Sequence, residues 1–234
     1  MLARVSTSQV VRRRWWLVVA IGVVLSALAV TATVRRSSTS TVQPHRPECQ
    51  PWREGATCHG WTLQYTGFGS AATTDGSNPR ITLAPMPSTR NLETHAGLVV
   101  RRGQMPLDIT VQMKTTHQLR QPNPNSWEVS WLLWDYIDDR HFYAVALKPN
   151  GWEVTKEDPA YPGDQRMLVT ESSPSFPIGI DHHVRVRQEG NKFSVWVDGG
   201  RLMDFTDTER PYLAGSVGLY TEDAVVEFFD LNVP

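Results

Sequence analysis

Glu128, Lys148 and Glu153 are charged residues whose spacing could place them on one surface of this 234-residue chain. They lie in or beside three apolar stretches between Trp127 and Lys156 (WEVSWLLWDYIDDRHFYAVALKPNGWEVTK). Read as three antiparallel strands, these put Lys148 on the middle strand and a glutamate on each side. Carboxyl groups separated by one strand lie roughly 9.5 Å apart at about 4.8 Å per step, which reaches only the inverting geometry for acid and base at a glycosidic bond. The same row would equally serve as a cross-strand Glu-Lys-Glu charge ladder. Trp134 falls in phase with these charges, and Trp196 points outward between Val195 and Val197. An exposed indole is costly unless something covers it, and its flat face suits the apolar side of a pyranose.

The elements that must position these residues follow from alternation. Trp127, Val129, Trp131 and Leu133, then Tyr143, Val145 and Leu147, then Trp152 and Val154 form a core-facing set. Glu128, Ser130, Trp134, Ala144, Ala146, Lys148, Glu153 and Thr155 form the opposite face. Asp138-Asp139 is expected to turn the first hairpin and Pro149-Asn150-Gly151 the second. Further strands are expected over 80–84, 97–101, 107–114, 183–188, 192–198, 201–205, 216–220 and 225–233. Helical periodicity is absent from the region after residue 48. Many short strands punctuated by turns predict an all-β, two-sheet jelly-roll sandwich.

The front of the chain is different. Residues 1–14 are basic and polar, and 15–34 form an uncharged apolar run of the roughly 20 residues that cross a bilayer as a helix. Four arginines precede the run and two follow it, which predicts a cytoplasmic N-terminus and an exported domain on a transmembrane signal-anchor helix. A cleaved signal ending near Ala27-Leu28-Ala29 is the alternative, and it exports the domain too. Residues 35–48, rich in Ser, Thr and Pro, read as a linker, and 49–234 as the folded domain. Residues 1–36 carry six arginines and no acid, so the whole-chain charge of -1 leaves -7 for the remainder. Without clustered positive charge that region is no nucleic-acid partner. Cys49 and Cys58, the only cysteines, predict a disulfide in an oxidising compartment.

The block HFYAVALKPNGWEV, the Asp198-Gly199 turn after VWV, the segment from Gly215 to Tyr220 (GSVGLY) and the closing FFDLNV resemble the concanavalin A-like lectin/glucanase superfamily, in particular laminin-G-like and 3-keto-disaccharide hydrolase-like domains. The resemblance covers roughly residues 61 to 234. It implies carbohydrate as the ligand, a polysaccharide or glycoconjugate, and the residues read above as outward-facing, Glu128, Trp134, Lys148, Glu153 and Trp196, are the expected contacts. It also implies a structural calcium ligand at Asp230, with no other cofactor. It carries no catalytic residue over, because the family 16 hydrolase pattern Glu-x-Asp-x-x-Glu is missing. The nearest text, from Glu153 to Asp158, lacks the middle carboxylate. A glycosidase or lyase of the same fold and a protein-binding adhesion module remain the alternatives to a lectin-like module.

Overall fold

The computed structural model describes Cys49, residues 51–90 and residues 93–234. The expected basic segment, anchor helix and linker, residues 1–48, lie outside the described residues. Among the described residues no helix is long and apolar enough to cross a membrane. What is described is a two-sheet sandwich of fifteen strands with one short 3-10 turn at Pro162–Asp164.

One sheet holds eight strands. In spatial order they are β1 (Thr57–Cys58), β2 (Trp61–Tyr65), β5 (Ala96–Arg102), β14 (Ser216–Glu222), β7 (Ser130–Asp138), β8 (His141–Lys148), β9 (Gly151–Glu157) and β10 (Gln165–Glu171). The second sheet holds seven: β13 (Gly200–Thr206), β12 (Lys192–Val197), β11 (Asp181–Glu189), β6 (Leu107–Gln118), β15 (Ala224–Asn232), β4 (Ile81–Ala84) and β3 (Ser70–Thr73). Neighbours β14 and β7, or β6 and β15, are distant in sequence, as a jelly roll requires.

The core lies between the sheets. β8 and β9 alternate as expected, with Tyr143, Val145, Leu147, Trp152 and Val154 inward, against Val184, Val186, Phe193 and Val195 of the second sheet. β7 has the phase opposite to the expected one. Trp134 pairs directly opposite Tyr143, and opposite residues share a face, so Leu132 and Trp134 point into the core. The Trp134 ring stacks on Tyr143 at 5.6 Å between centroids and meets Phe193 edge-on at 5.3 Å. Val129, Trp131 and Leu133 turn to the outer face and join a separate apolar cluster. The strand begins at Ser130 rather than Trp127, and its five leading residues SWLLW are buried on both sides. Alternation carries no phase information in such a run.

A charged residue also enters the core. Lys156, fully buried on β9, donates to Asp207 Oδ2 at 2.7 Å and to the carbonyls of Glu209 and Arg210 at 2.6 and 2.7 Å. Tyr143 donates to the same Asp207 oxygen at 2.6 Å. Every ammonium hydrogen thus has an acceptor, the condition on which a buried ion is tolerated. The arrangement fixes the segment between β13 and β14 against the sandwich. At the front, Cys49 and Cys58 form the expected disulfide, with Cα atoms 5.6 Å apart.

Candidate functional site

The residues expected to act together are dispersed, with one exception. Lys148 and Glu153 lie on the outer face of the eight-stranded sheet and form a nearly buried ion pair. Glu128 precedes β7 and is fully buried, where it accepts from Arg120 Nε at 2.6 Å and Asn125 Nδ2 at 2.7 Å. Arg120 also binds Asp223 Oδ2 at 2.7 Å, so this cluster ties the segment before β7 to the end of β14. Glu128 therefore anchors a loop and does not face solvent. Trp134 belongs to the core, for the phase reason given above. Trp196 does point away from the core, but on the seven-stranded sheet, where Arg185 and Arg201 lie 5.5 and 5.2 Å from its ring centroid. The whole sandwich separates it from Glu153.

Asp230, near the end of β15, accepts a hydrogen bond from Asn78 Nδ2 at 2.5 Å. Among the described residues no three His, Cys, Asp or Glu side chains gather as a metal site.

The strand register defines what the outer face offers. One row crosses the sheet as Tyr65, Leu98, Tyr220, Trp131, Ala146, Glu153 and Thr170. The adjacent row runs Thr62, Val100, Gly218, Leu133, Ala144, Thr155 and Met167. Small residues, Gly218, Ala144 and Ala146, stand beside Trp131 and Leu133 at the centre of these rows, and all five are buried. At Gly218 a Cβ would come within 3.0 Å of the Leu133 side chain, so the floor there is set by glycine. Aromatic rings flank this floor: Tyr65, Tyr136, Phe142 and Tyr220 are half-buried around the fully packed Trp131. Trp127 and Ile178, from the segments before β7 and β11, pack onto the same cluster.

Two of the rings carry a shared polar device. The hydroxyls of Tyr65 and Tyr136 both donate to Asp139 Oδ1, at 3.1 and 2.8 Å. Burial is the main cause that pushes both phenols up, and the Asp139 carboxylate adds to it. Both therefore remain protonated donors throughout the physiological range. Tyr220 donates to Glu222 at 2.6 Å. The carboxylates on β9 itself, Glu153 and Glu157, are four residues apart, or about 13 Å at roughly 3.3 Å per residue, too far for either glycosidase geometry.

Sequence reading missed Tyr65, Tyr136, Phe142 and Asp139. The WDY and HFY text was visible, but an irregularity in the β7–β8 register between Trp134 and Asp138 hides which ring goes where. Asp135 in that irregularity adopts φ 49° and turns inward to Gln188.

With this geometry in hand, known proteins can be compared. No family model matches the chain, and no curated protein matches it. Among solved structures, the carbohydrate binding module CBM66 from Bacillus subtilis superposes with a TM-score of 0.53 at 13% identity, covering 74% of this chain and 93% of that one. The chain has the concanavalin A-like fold. Lower similarities extend to a glycoside hydrolase family 16 endo-glucanase from Bacteroides ovatus (TM-score 0.46, 10% identity, 73% of this chain and 92% of that one). Sheep galectin-11 follows with a TM-score of 0.43 and 10% identity, over 64% of this chain and 99% of the galectin. A concanavalin A-like sandwich is a scaffold, and its activity must be argued from the side chains it presents.

Proposed function

We propose that this domain is a carbohydrate-binding module whose ligand lies on the outer face of the eight-stranded sheet. The observation that carries the reading is the set of half-buried rings Tyr65, Tyr136, Phe142 and Tyr220, which edge a patch whose centre, Trp131, Leu133, Ala144 and Ala146, is already packed. Rings offer apolar area to a sugar ring, while the exposed Asp139 carboxylate offers a charged hydrogen-bonding group at the edge. The fold shared with a carbohydrate binding module supports the same reading. A binding role is favoured over hydrolysis because Glu128 is sealed beneath Arg120, away from solvent, and Glu153 is paired with a lysine. The uncharged run at 15–34 supports a second element of the proposal, that the module is displayed outside the cytoplasm on a membrane anchor.

The test is affinity electrophoresis of the full chain through polysaccharide-containing gels, comparing wild type with Phe142→Ala. Retardation lost in the variant, with its thermal midpoint kept, is the expected result. Retardation equal in both places the ligand elsewhere.

A further inference from the structure

A second, separate feature lies at the end of the sandwich near the disulfide. A depression of about 300 Å³ is lined by His59, Trp61, Ser77, Pro79, Arg101 and Leu231. His59 and Gly60 form the two-residue turn between β1 and β2, both with positive φ (49° and 81°), as a type I′ hairpin requires. Arg101 packs beside this turn: a Cβ at Gly60 would stand in ordinary contact, 3.7 Å from Arg101 Nε. The guanidinium is half-buried beside the turn and forms no ion pair among the described residues. The acids of the flanking segments make other contacts or none to it: Asp230 accepts from Asn78, and Asp75 is exposed in the β3–β4 turn.

Of the arginines that form no ion pair among the described residues, Arg53 and Arg102 are exposed, whereas Arg101 is half-buried at the depression; Arg80, Arg120, Arg166, Arg185 and Arg210 each have a carboxylate. A guanidinium presents a planar fork of donors matched to carboxylate or phosphate oxygens. The Ser77 hydroxyl and the exposed His59 ring add polar groups at the rim, while Trp61, Pro79 and Leu231 supply apolar walls. We propose that this depression binds an anionic group, a carboxylate or phosphate, carried on a sugar or polyol, with Arg101 as its main anchor. Acidic saccharides and the polyol phosphates of lipid headgroups share that chemistry. The site is independent of the outer-face site.

The test titrates the full chain with glucuronate, glycerol 3-phosphate and inorganic phosphate, following the His59 ring signals by NMR. Those signals are assigned by their loss in His59→Asn. The expected result is a saturable shift with at least one probe, its affinity reduced tenfold or more in Arg101→Gln and partly restored in Arg101→Lys. Saturation by glucuronate alone assigns an acidic saccharide, and by glycerol 3-phosphate alone a polyol phosphate. Saturation by all three supports the shared anion chemistry. Should Arg101→Gln not fold, calorimetry on His59→Asn, at the exposed rim, gives the reading through weakened binding of the same probe. No saturation with any of the three, or undiminished affinity in the folded variants, overturns the proposal.

Discussion

Tyr65 and Tyr136, on strands with β5 and β14 between them in the sheet, place their hydroxyls on the same oxygen of Asp139. The β7–β8 hairpin tip and β2 are thereby tied together across the outer face. Asp139→Ala removes the shared acceptor. It should weaken polysaccharide binding about three- to tenfold, the equivalent of roughly one hydrogen bond, and leave the thermal midpoint nearly unchanged because the Asp139 side chain itself is exposed. Isothermal titration and a melting curve check both parts.

Trp134 and Phe142 should separate stability from binding. Trp134 is fully buried between the sheets, so Trp134→Ala should cost about 3–5 kcal/mol of stability while the folded fraction still binds. Phe142→Ala, on the outer face, should do the reverse. Urea unfolding alongside binding measurements distinguishes the two patterns.

The Lys156–Asp207 pair should shape the acid limb of stability. Burial alone raises the Asp207 carboxyl, but its bonds to Lys156, Tyr143 and the Glu209 amide outweigh this and hold it below the ordinary 3.8. A folded-state value below the unfolded one stabilises above about pH 4, and that contribution is lost as the pH falls through the folded value. Asp207→Asn should cost about 3–5 kcal/mol at neutral pH, as expected when one partner of a buried pair is removed. It should also flatten the acid limb. Urea midpoints from pH 2 to 7 test this.

Asp135 has the opposite sign. Burial raises its carboxyl and the bond from Gln188 only partly offsets that, so its ionised form opposes folding at neutral pH. This cost diminishes as the pH falls through the raised folded value. Asp135→Asn keeps an acceptor for Gln188 and tolerates the left-handed φ of 49°. It should raise the thermal midpoint at pH 7. The advantage should shrink in acid, as paired melting curves would show.

Most of the sandwich was legible because its strands alternate. Leu107–Gln118, Asp181–Glu189 and Lys192–Val197 bury one face and solvate the other, so periodicity found them. β10 was missed because Gln165–Glu171 lies at a sheet edge, where no residue is fully buried and no pattern forms. The site was far less legible. In β7 both faces are apolar, so the phase of Trp131 and Trp134 could be read either way, and only pairing with Tyr143 fixes it. Tyr65 reaches Asp139 across a sequence separation of 74, a proximity that exists only after the sheet has formed.

Carbohydrate binding by the outer face is tested most directly by probing a polysaccharide array with the full chain and with Tyr136→Ala, while assaying products by mass spectrometry. Retention of wild type without new products, lost in Tyr136→Ala and kept in Trp196→Ala, is the predicted result. Retention that survives Tyr136→Ala and disappears in Trp196→Ala would contradict it, by moving the ligand to the other sheet.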